Sequence, residues 1–316
     1  MSTAKKPQAQ LLTGTHRGTA PVTDHLTHFL LGEKGSSGKT VVSELVALLS
    51  DQYVAQAGGT EMNVVTVDDQ PRLRHVLGDR VALALPLTPP DNVSDGDESE
   101  DLRTYYEQVF EYQKGRDCLI DTGSNSSKRI FSWFKGARGA YARMTKEEGV
   151  HMRFVVVIDN DAEAANGAAD MLAAAYRMWS KLGNADFFLV RNAHKGSFKG
   201  LEASCEKYRL MLELPWLKIV DLPRNKSIFW DMWRNKGERS IIDMFAALDG
   251  ADEDKMRREA LATETGLSTG KVNHGVYDFM LWLHESQKAL LPLLRPEVAQ
   301  GIKARLDEDS DLYAAD

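Results

Sequence analysis

Gly32-Glu33-Lys34-Gly35-Ser36-Ser37-Gly38-Lys39-Thr40 lies between an apolar run, Phe29-Leu30-Leu31, and a helical pattern at Val41, Val42, Leu45, Val46, Leu48 and Leu49. A strand, a glycine-rich turn and a helix in that order form the setting of a phosphate-binding loop. Glycines at 35 and 38 let successive backbone N–H groups point into one concavity, where the positive end of the following helix also favours an anion. Lys39 then reaches the β and γ phosphates as a point charge, and the Thr40 hydroxyl completes the coordination of a Mg²⁺ that bridges them. The strict pattern asks for glycine at position 33. This chain has Glu33 there, with Gly32 one residue early and a second lysine, Lys34, five residues before Lys39.

The run from Lys34 to Thr40 resembles the deviant Walker A loop of the ParA/MinD family, Lys-Gly-Gly-x-Gly-Lys-Ser/Thr, with Ser36 where that family usually has glycine. The resemblance implies that Gly35, Ser36, Ser37, Gly38, Lys39, Thr40 and Val41 bind ATP. In that family the first lysine crosses a dimer interface to the partner's nucleotide, so Lys34 implies an ATP-dependent homodimer.

Outward from the loop, short β-rich runs alternate with helical stretches: Asn63–Val67, a helix around 102–113, Cys118–Ile120, a helix around 128–143, Phe154–Ile158, a helix over 162–182, Phe187–Val190, a helix over 201–212, and Lys218–Val220. The alternation predicts an α/β fold of the P-loop NTPase kind, a mostly parallel sheet with helices on both faces. Its active edge is the carboxyl ends of the strands.

Those strand ends carry acids and amides. Asp68 and Asp69 follow Val64-Val65-Thr66-Val67. A carboxylate there orients water or holds Mg²⁺ through its shell, although aspartate also marks plain solvated turns. Within the resemblance, Asp68 is the first choice for positioning the attacking water; the family phrase D-x-D-P-Q departs from Asp68-Asp69-Gln70-Pro71 here, so the choice between Asp68 and Asp69 stays open. Cys118-Leu119-Ile120 ends in Asp121-Thr122-Gly123, which looks like a Walker B aspartate for Mg²⁺ followed by a switch glycine. Asp159-Asn160-Asp161 reads as a helix cap. Phe187–Val190 leads to Arg191-Asn192, and Asn192 resembles the family's base-contacting asparagine, whose amide pairs a donor and an acceptor with adenine. Pro223, in Leu222-Pro223-Arg224-Asn225, resembles the proline of the loop that packs on adenine.

Composition bounds the remainder. The chain has 316 residues, 43% hydrophobic, a net charge of −7 and two cysteines, Cys118 and Cys205. That length builds one large core with a small appendage, the favoured reading, or two modest domains, and the cysteines make neither a disulfide framework nor a cysteine-rich metal site. No apolar run reaches the ~18 residues of a membrane span, and the N-terminus lacks a signal-peptide core, so a cytoplasmic protein is expected. The boundaries read from sequence are a disordered tail at 1–24, the ATPase domain at 25–248 and a C-terminal helical appendage at 249–316, where Val276, Phe279, Met280, Trp282 and Leu283 recur at helical spacing. Asp91, Asp95, Asp97, Glu98, Glu100 and Asp101 read as an acidic solvated insertion.

Lys128, Arg129, Lys135, Arg138, Arg143 and Lys146 form a basic stretch interleaved with Trp133, Phe134 and Tyr141. Such charge suits non-specific DNA contact, although charge runs on helices are more often solvated faces. The resemblance, whose later phrases look most like the plasmid TraL/StbB-like conjugation and stability branch, implies a dimeric ATP switch in plasmid or DNA partition, stability, conjugative transfer or intracellular positioning. Its partner is then DNA, a DNA-bound adaptor protein or a scaffold. An ATP-dependent metabolic or metal-centre maturation enzyme is the other function that this loop supports.

Overall fold

Short runs of Val, Ile, Leu and Phe too continuous to alternate polar with apolar are what a sheet covered on both faces demands. In the computed structural model of the chain, residues 25–35, 37–57, 60–68, 72–86, 107–136, 139–230, 240–241 and 254–313 are described. Ser36, Asp69, Arg138, the tail at 1–24 and the acidic stretch at 91–101 lie outside them.

The strands are β1 (His25–Leu31), β2 (Asn63–Val67), β3 (Val81–Leu85), β4 (Cys118–Thr122), β5 (Val150–Ile158), β6 (Ala185–Asn192) and β7 (Leu217–Leu222). The helices are α1 (Lys39–Ala57), α2 (Arg72–Leu77), α3 (Ser124–Gly136), α4 (Ala140–Glu147), α5 (Ala162–Trp179), α6 (Lys199–Ser204), α7 (Glu206–Leu212), α8 (Asp254–Thr265), α9 (Thr269–Leu290) and α10 (Pro296–Tyr313), with a short helical turn at 107–111. The seven strands lie in the order β3-β2-β4-β1-β5-β6-β7. Every neighbouring pair is parallel. The fold is therefore the α/β architecture that the alternation predicts.

Two expected helices are each broken. The stretch at 128–143 divides where Gly139 adopts φ 77°, a conformation that favours glycine, and α4 begins at the next residue. The stretch at 201–212 divides at Cys205, which is extended.

Successive side chains of β1 point to opposite faces. Phe29 and Leu31 join Ile120, Phe154, Val156 and Leu189 in one core, covered by α3, α4, α5 and α7. Leu30 joins Leu119, Val155, Val157, Phe188 and Val190 in the other, covered by α1, α9 and α10. The first core has an aromatic nucleus: Phe154 meets Trp179 at a centroid distance of 4.7 Å, and Phe134 stacks on Tyr141 at 4.9 Å.

The C-terminal segment is tied to the strands by polar contacts. Arg153 of β5 donates to the carbonyls of Leu293 and Leu294, and His28 of β1 donates from Nε2 to Leu293 O. Arg295 forks onto Asp117 at 2.8 and 2.5 Å, and Asp117 also accepts from Leu26 N. Phe279, Trp282 and Leu283 of α9 are buried, as their helical spacing predicts.

Candidate functional site

The sheet order sends the chain after β1, β2 and β4 to the same edge, and the acids predicted from strand ends collect there. Lys39, the first residue of α1, is only 8% exposed. Its stem folds back over Gly32, where an added Cβ would come within 3.1 Å of Lys39 Cδ and 3.0 Å of Val157 O, so glycine at 32 provides the space the lysine occupies. Lys39 Nζ donates to Lys34 O at 3.3 Å. Burial lowers the Lys39 pKa, and the carboxylates of Asp121 and Asp68 oppose that shift.

Asp121 is buried beneath the loop. Burial pushes its carboxyl up to about 6, against the pull of Lys39 and of the Ser43 hydroxyl, which donates to Oδ1 at 3.0 Å. Asp68 lies directly over Gly123, where an added Cβ would be 2.4 Å from Asp68 Oδ1. Gly123 N in turn donates to Val67 O at 2.9 Å, so the ends of β2 and β4 are held together.

Hydroxyls then tie this edge to the loop. Thr122 Oγ1 donates to Leu30 O at 2.7 Å and meets Ser127 Oγ at 2.7 Å, while Ser127 Oγ accepts from Gly32 N at 3.3 Å. Neither Thr122, Ser127 nor Ser43 is singled out by sequence reasoning. The available signal is the hydroxyl run Ser124-Asn125-Ser126-Ser127 after Gly123, and a serine one turn beyond Lys39.

Asn192, expected at a base, is buried and holds the loop. Its Nδ2 donates to Ser37 O at 3.0 Å and its Oδ1 accepts from His194 N at 3.2 Å. Gly38 beneath it has φ 95°, and a Cβ there would lie 2.1 Å from Asn192 Nδ2, so both backbone and space require glycine.

Lys34 points to neither Asp68 nor Asp121. Its Nζ pairs with Asp161 Oδ2 at 2.7 Å, which raises the lysine's pKa and lowers the aspartate's. Asp161 also caps α5, accepting from Ala164 N. Glu33, the residue that departs from the strict loop pattern, pairs with Lys128 and packs against Gly167 of α5.

A cavity of about 700 Å³ runs across this edge. It is lined by Gly35, Gly38, Lys39, Thr40, Asp68 and Asp121, by Asn192 beside the loop, and by Pro223, Asn225, Trp230 and Trp282. Of the predicted site residues, the structure gathers Gly35, Ser37, Gly38, Lys39, Thr40, Val41, Asp68, Asp121, Asn192 and Pro223 around it; Lys34 is turned to Asp161.

No family model matches the chain, and no curated protein does. Solved structures do match, among them an ATP complex of McdA from Cyanothece, 15% identical, covering 78% of this chain and 98% of that chain with a TM-score of 0.39. Identity and TM-score at that level assign neither activity nor residues.

The donor set fits a Mg²⁺ that arrives with phosphates. Asp121 is a buried carboxylate whose charge burial disfavours, and a divalent cation relieves that cost. Among the described residues no group of three or more His, Cys, Asp or Glu could hold a metal by protein ligands alone. Mg²⁺ takes one or two carboxylates and completes its shell from phosphate and water. No helix among the described residues is long and apolar enough to cross a membrane.

At its described basic residues, Lys128, Arg129, Arg143 and Lys146, the stretch is the exposed side of an amphipathic surface. Phe134 and Tyr141 are buried in the aromatic nucleus and Trp133 packs against it, so the aromatics between the basic residues do not form a stacking platform, and Lys128 is paired with Glu33.

Proposed function

We propose that the chain is a Mg²⁺-dependent ATPase of the ParA/MinD kind that dimerises on ATP and is reset by slow hydrolysis. The observation that carries this reading is the convergence on one cavity of Lys39, Thr40, Asp121 and Asp68 from three strand ends. Loop N–H groups and Lys39 bind the β and γ phosphates, and Thr40 and Asp121 hold the metal. Mg²⁺, when bound, would neutralise charge developing on the transferred phosphoryl group. Asp68 orients the attacking water, and Gly123 beneath it gives the β4 end freedom to move toward the γ-phosphate. Lys34 leaves Asp161 to reach the partner's nucleotide.

A switch of this kind serves plasmid or DNA partition, stability, conjugative transfer or intracellular positioning, with DNA or an adaptor as partner. Direct DNA contact then rests on charge at Arg129, Arg143 and Lys146 and weakens steeply with salt. The test is the solution mass with ADP and with a slowly hydrolysed ATP analogue. The wild type is expected to double in mass with the analogue alone and Lys34→Ala to remain monomeric. A monomer in every state overturns the trans role of Lys34, and turnover that requires a small carboxylate or amine makes the protein a metabolic enzyme instead.

A further inference from the structure

Arg72 lines the same cavity as Lys39, Asp68 and Asp121, and neither the phosphate loop nor the pattern of strand-end acids calls for it. It is the first residue of α2. The next residue, Leu73, is 1% exposed and joins the core that holds Leu45 and Leu49 of α1, so the backbone carrying Arg72 is anchored while the side chain itself stays exposed. Asp68 lies four residues earlier, a stretch of chain that spans at most about 14 Å. Its own N–H donates to Leu85 O at 3.0 Å, which pins it at the β2 end. Arg72 therefore enters the cavity from the side of Asp68.

Its guanidinium is unspent. Among the described residues Arg72 forms neither a hydrogen bond nor an ion pair, although the Asp68 carboxylate shares its cavity. Elsewhere Arg80 pairs with Asp51, Arg191 with Asp221 and Arg295 with Asp117. Charge makes the position of Arg72 informative. Of the described residues that line the cavity, Lys39 and Arg72 are the lysine and the arginine, set against the carboxylates of Asp68 and Asp121. Two carboxylates beside one ammonium repel a polyphosphate, and like charges in a partly desolvated cleft repel more strongly than in water. A guanidinium restores the balance and presents a planar fork that matches two phosphate oxygens.

We propose that Arg72 is a γ-phosphate ligand through which the site selects a nucleoside triphosphate over a diphosphate. The proposal rests on the nucleotide reading above and deepens it by assigning a second cation of the same chain to the terminal phosphoryl group. Lys39 reaches the β and γ phosphates from α1, whereas Arg72 comes from the side of Asp68, where the attacking water is oriented, and so meets the outermost oxygens. A diphosphate ends short of it. Arg74 supplies the contrast: it is exposed on the same helix and does not line the cavity.

The test compares calorimetric affinities for ADP and for a slowly hydrolysed ATP analogue, each with Mg²⁺, on the wild type, Arg72→Gln, Arg72→Lys and Arg74→Gln. The preference for the analogue over ADP is expected to fall about tenfold in Arg72→Gln, to fall less in Arg72→Lys, which keeps the charge but not the fork, and to hold its wild-type value in Arg74→Gln. An unchanged preference in Arg72→Gln overturns the proposal. So does an equal fall in Arg74→Gln, which makes the effect one of general charge. The comparison is repeated in a Lys34→Ala background, where association is not expected; if the effect of Arg72→Gln vanishes there, Arg72 acts through the dimer and the contact with the γ-phosphate is overturned. Failure of the wild type to bind either nucleotide overturns the nucleotide reading itself. Modification of the unaltered protein by phenylglyoxal, read by mass spectrometry, keeps the test independent of variant folding: the analogue is expected to block modification at Arg72 where ADP does not, with Arg74 modified in both. Equal modification of Arg72 with the two nucleotides overturns the proposal.

Discussion

Asp121 shows how function and stability oppose each other at one residue. Burial raises its carboxyl to about 6, above the ordinary value of 3.8, so the folded state holds the proton more tightly than the unfolded chain. The nucleotide-free protein therefore loses stability as pH rises through that interval and carries the full cost above it, about 3 kcal/mol. Asp121→Asn keeps an acceptor for Ser43 Oγ and has no charge to bury. At pH 8, without nucleotide, it is expected to unfold at higher denaturant than the wild type by an amount corresponding to about 3 kcal/mol, with the difference vanishing near pH 4. The same substitution is expected to abolish Mg²⁺-dependent nucleotide turnover. Lys34 offers a milder case. Its pair with Asp161 is partly exposed, and such pairs are weak. Asp161→Asn retains the cap on Ala164 N but loses the charge, so the ATP analogue should drive association at a concentration only a few-fold lower, measured by sedimentation. Reduced association would show that Asp161 assists Lys34 and does not compete for it.

At the scale of elements, α5 and the loop fit each other through a departure from pattern in each. Glycine in a helix interior costs about 1 kcal/mol relative to alanine, and Gly167 sits well inside α5. An added Cβ there would fall 1.4 Å from Glu33 Oε2 and 2.8 Å from Glu33 Cβ; a swing of the carboxylate removes the first conflict but not the second. Gly167→Ala is therefore expected to weaken nucleotide binding severalfold by displacing the loop, whereas Gly167→Ala in a Glu33→Ala background is expected to gain up to about 1 kcal/mol of unfolding free energy. Calorimetry and denaturant titration on the pair of backgrounds check both. The same pairing shows what a sequence does not announce. Glu33 is visible as an irregular loop residue, but Gly167 lies far along the chain and reads as an ordinary small residue of a helix. β3 escapes for another reason: it is an edge strand with a half-exposed pattern, so its apolar run is short and ends against Pro86. Lys39, Asp68 and Asp121 are legible because each lies close to the carboxyl end of its own strand, Lys39 across the glycine-rich loop after β1, Asp68 next to β2 and Asp121 within the last residues of β4. The Thr122–Ser127–Gly32 relay and the Lys34–Asp161 pair span 95 and 127 residues in part, and only folding brings those positions together.

At the scale of the whole molecule, the sheet is gripped on its second face by the C-terminal segment, and His28 makes that grip sensitive to acid. The imidazole is buried and donates from Nε2 to Leu293 O, while Nδ1 has no hydrogen-bond partner among the described residues. A second proton must therefore enter a dry site beside the Arg153 guanidinium, which itself holds the Leu293 and Leu294 carbonyls. Burial, followed by the charge of Arg153, lowers the His28 pKa from 6.5 to about 4, although Leu293 O and the Asp117 carboxylate act in the other direction. Arg295 clasps that carboxylate. Because the folded pKa lies below the unfolded one, the contribution of His28 is complete above pH 6.5 and is lost as pH falls toward 4, a change of about 3 kcal/mol. His28→Gln supplies an N–H for Leu293 O without a titrating group. Other carboxylates titrate in both proteins, so the informative quantity is the difference between them. From pH 7 to pH 4.5 the wild type is expected to lose more unfolding free energy than His28→Gln by about 2 to 3 kcal/mol, with hydrogen exchange at residues 291–306 rising first. Parallel pH dependences in the two proteins would show that the C-terminal segment is held without regard to the charge on His28.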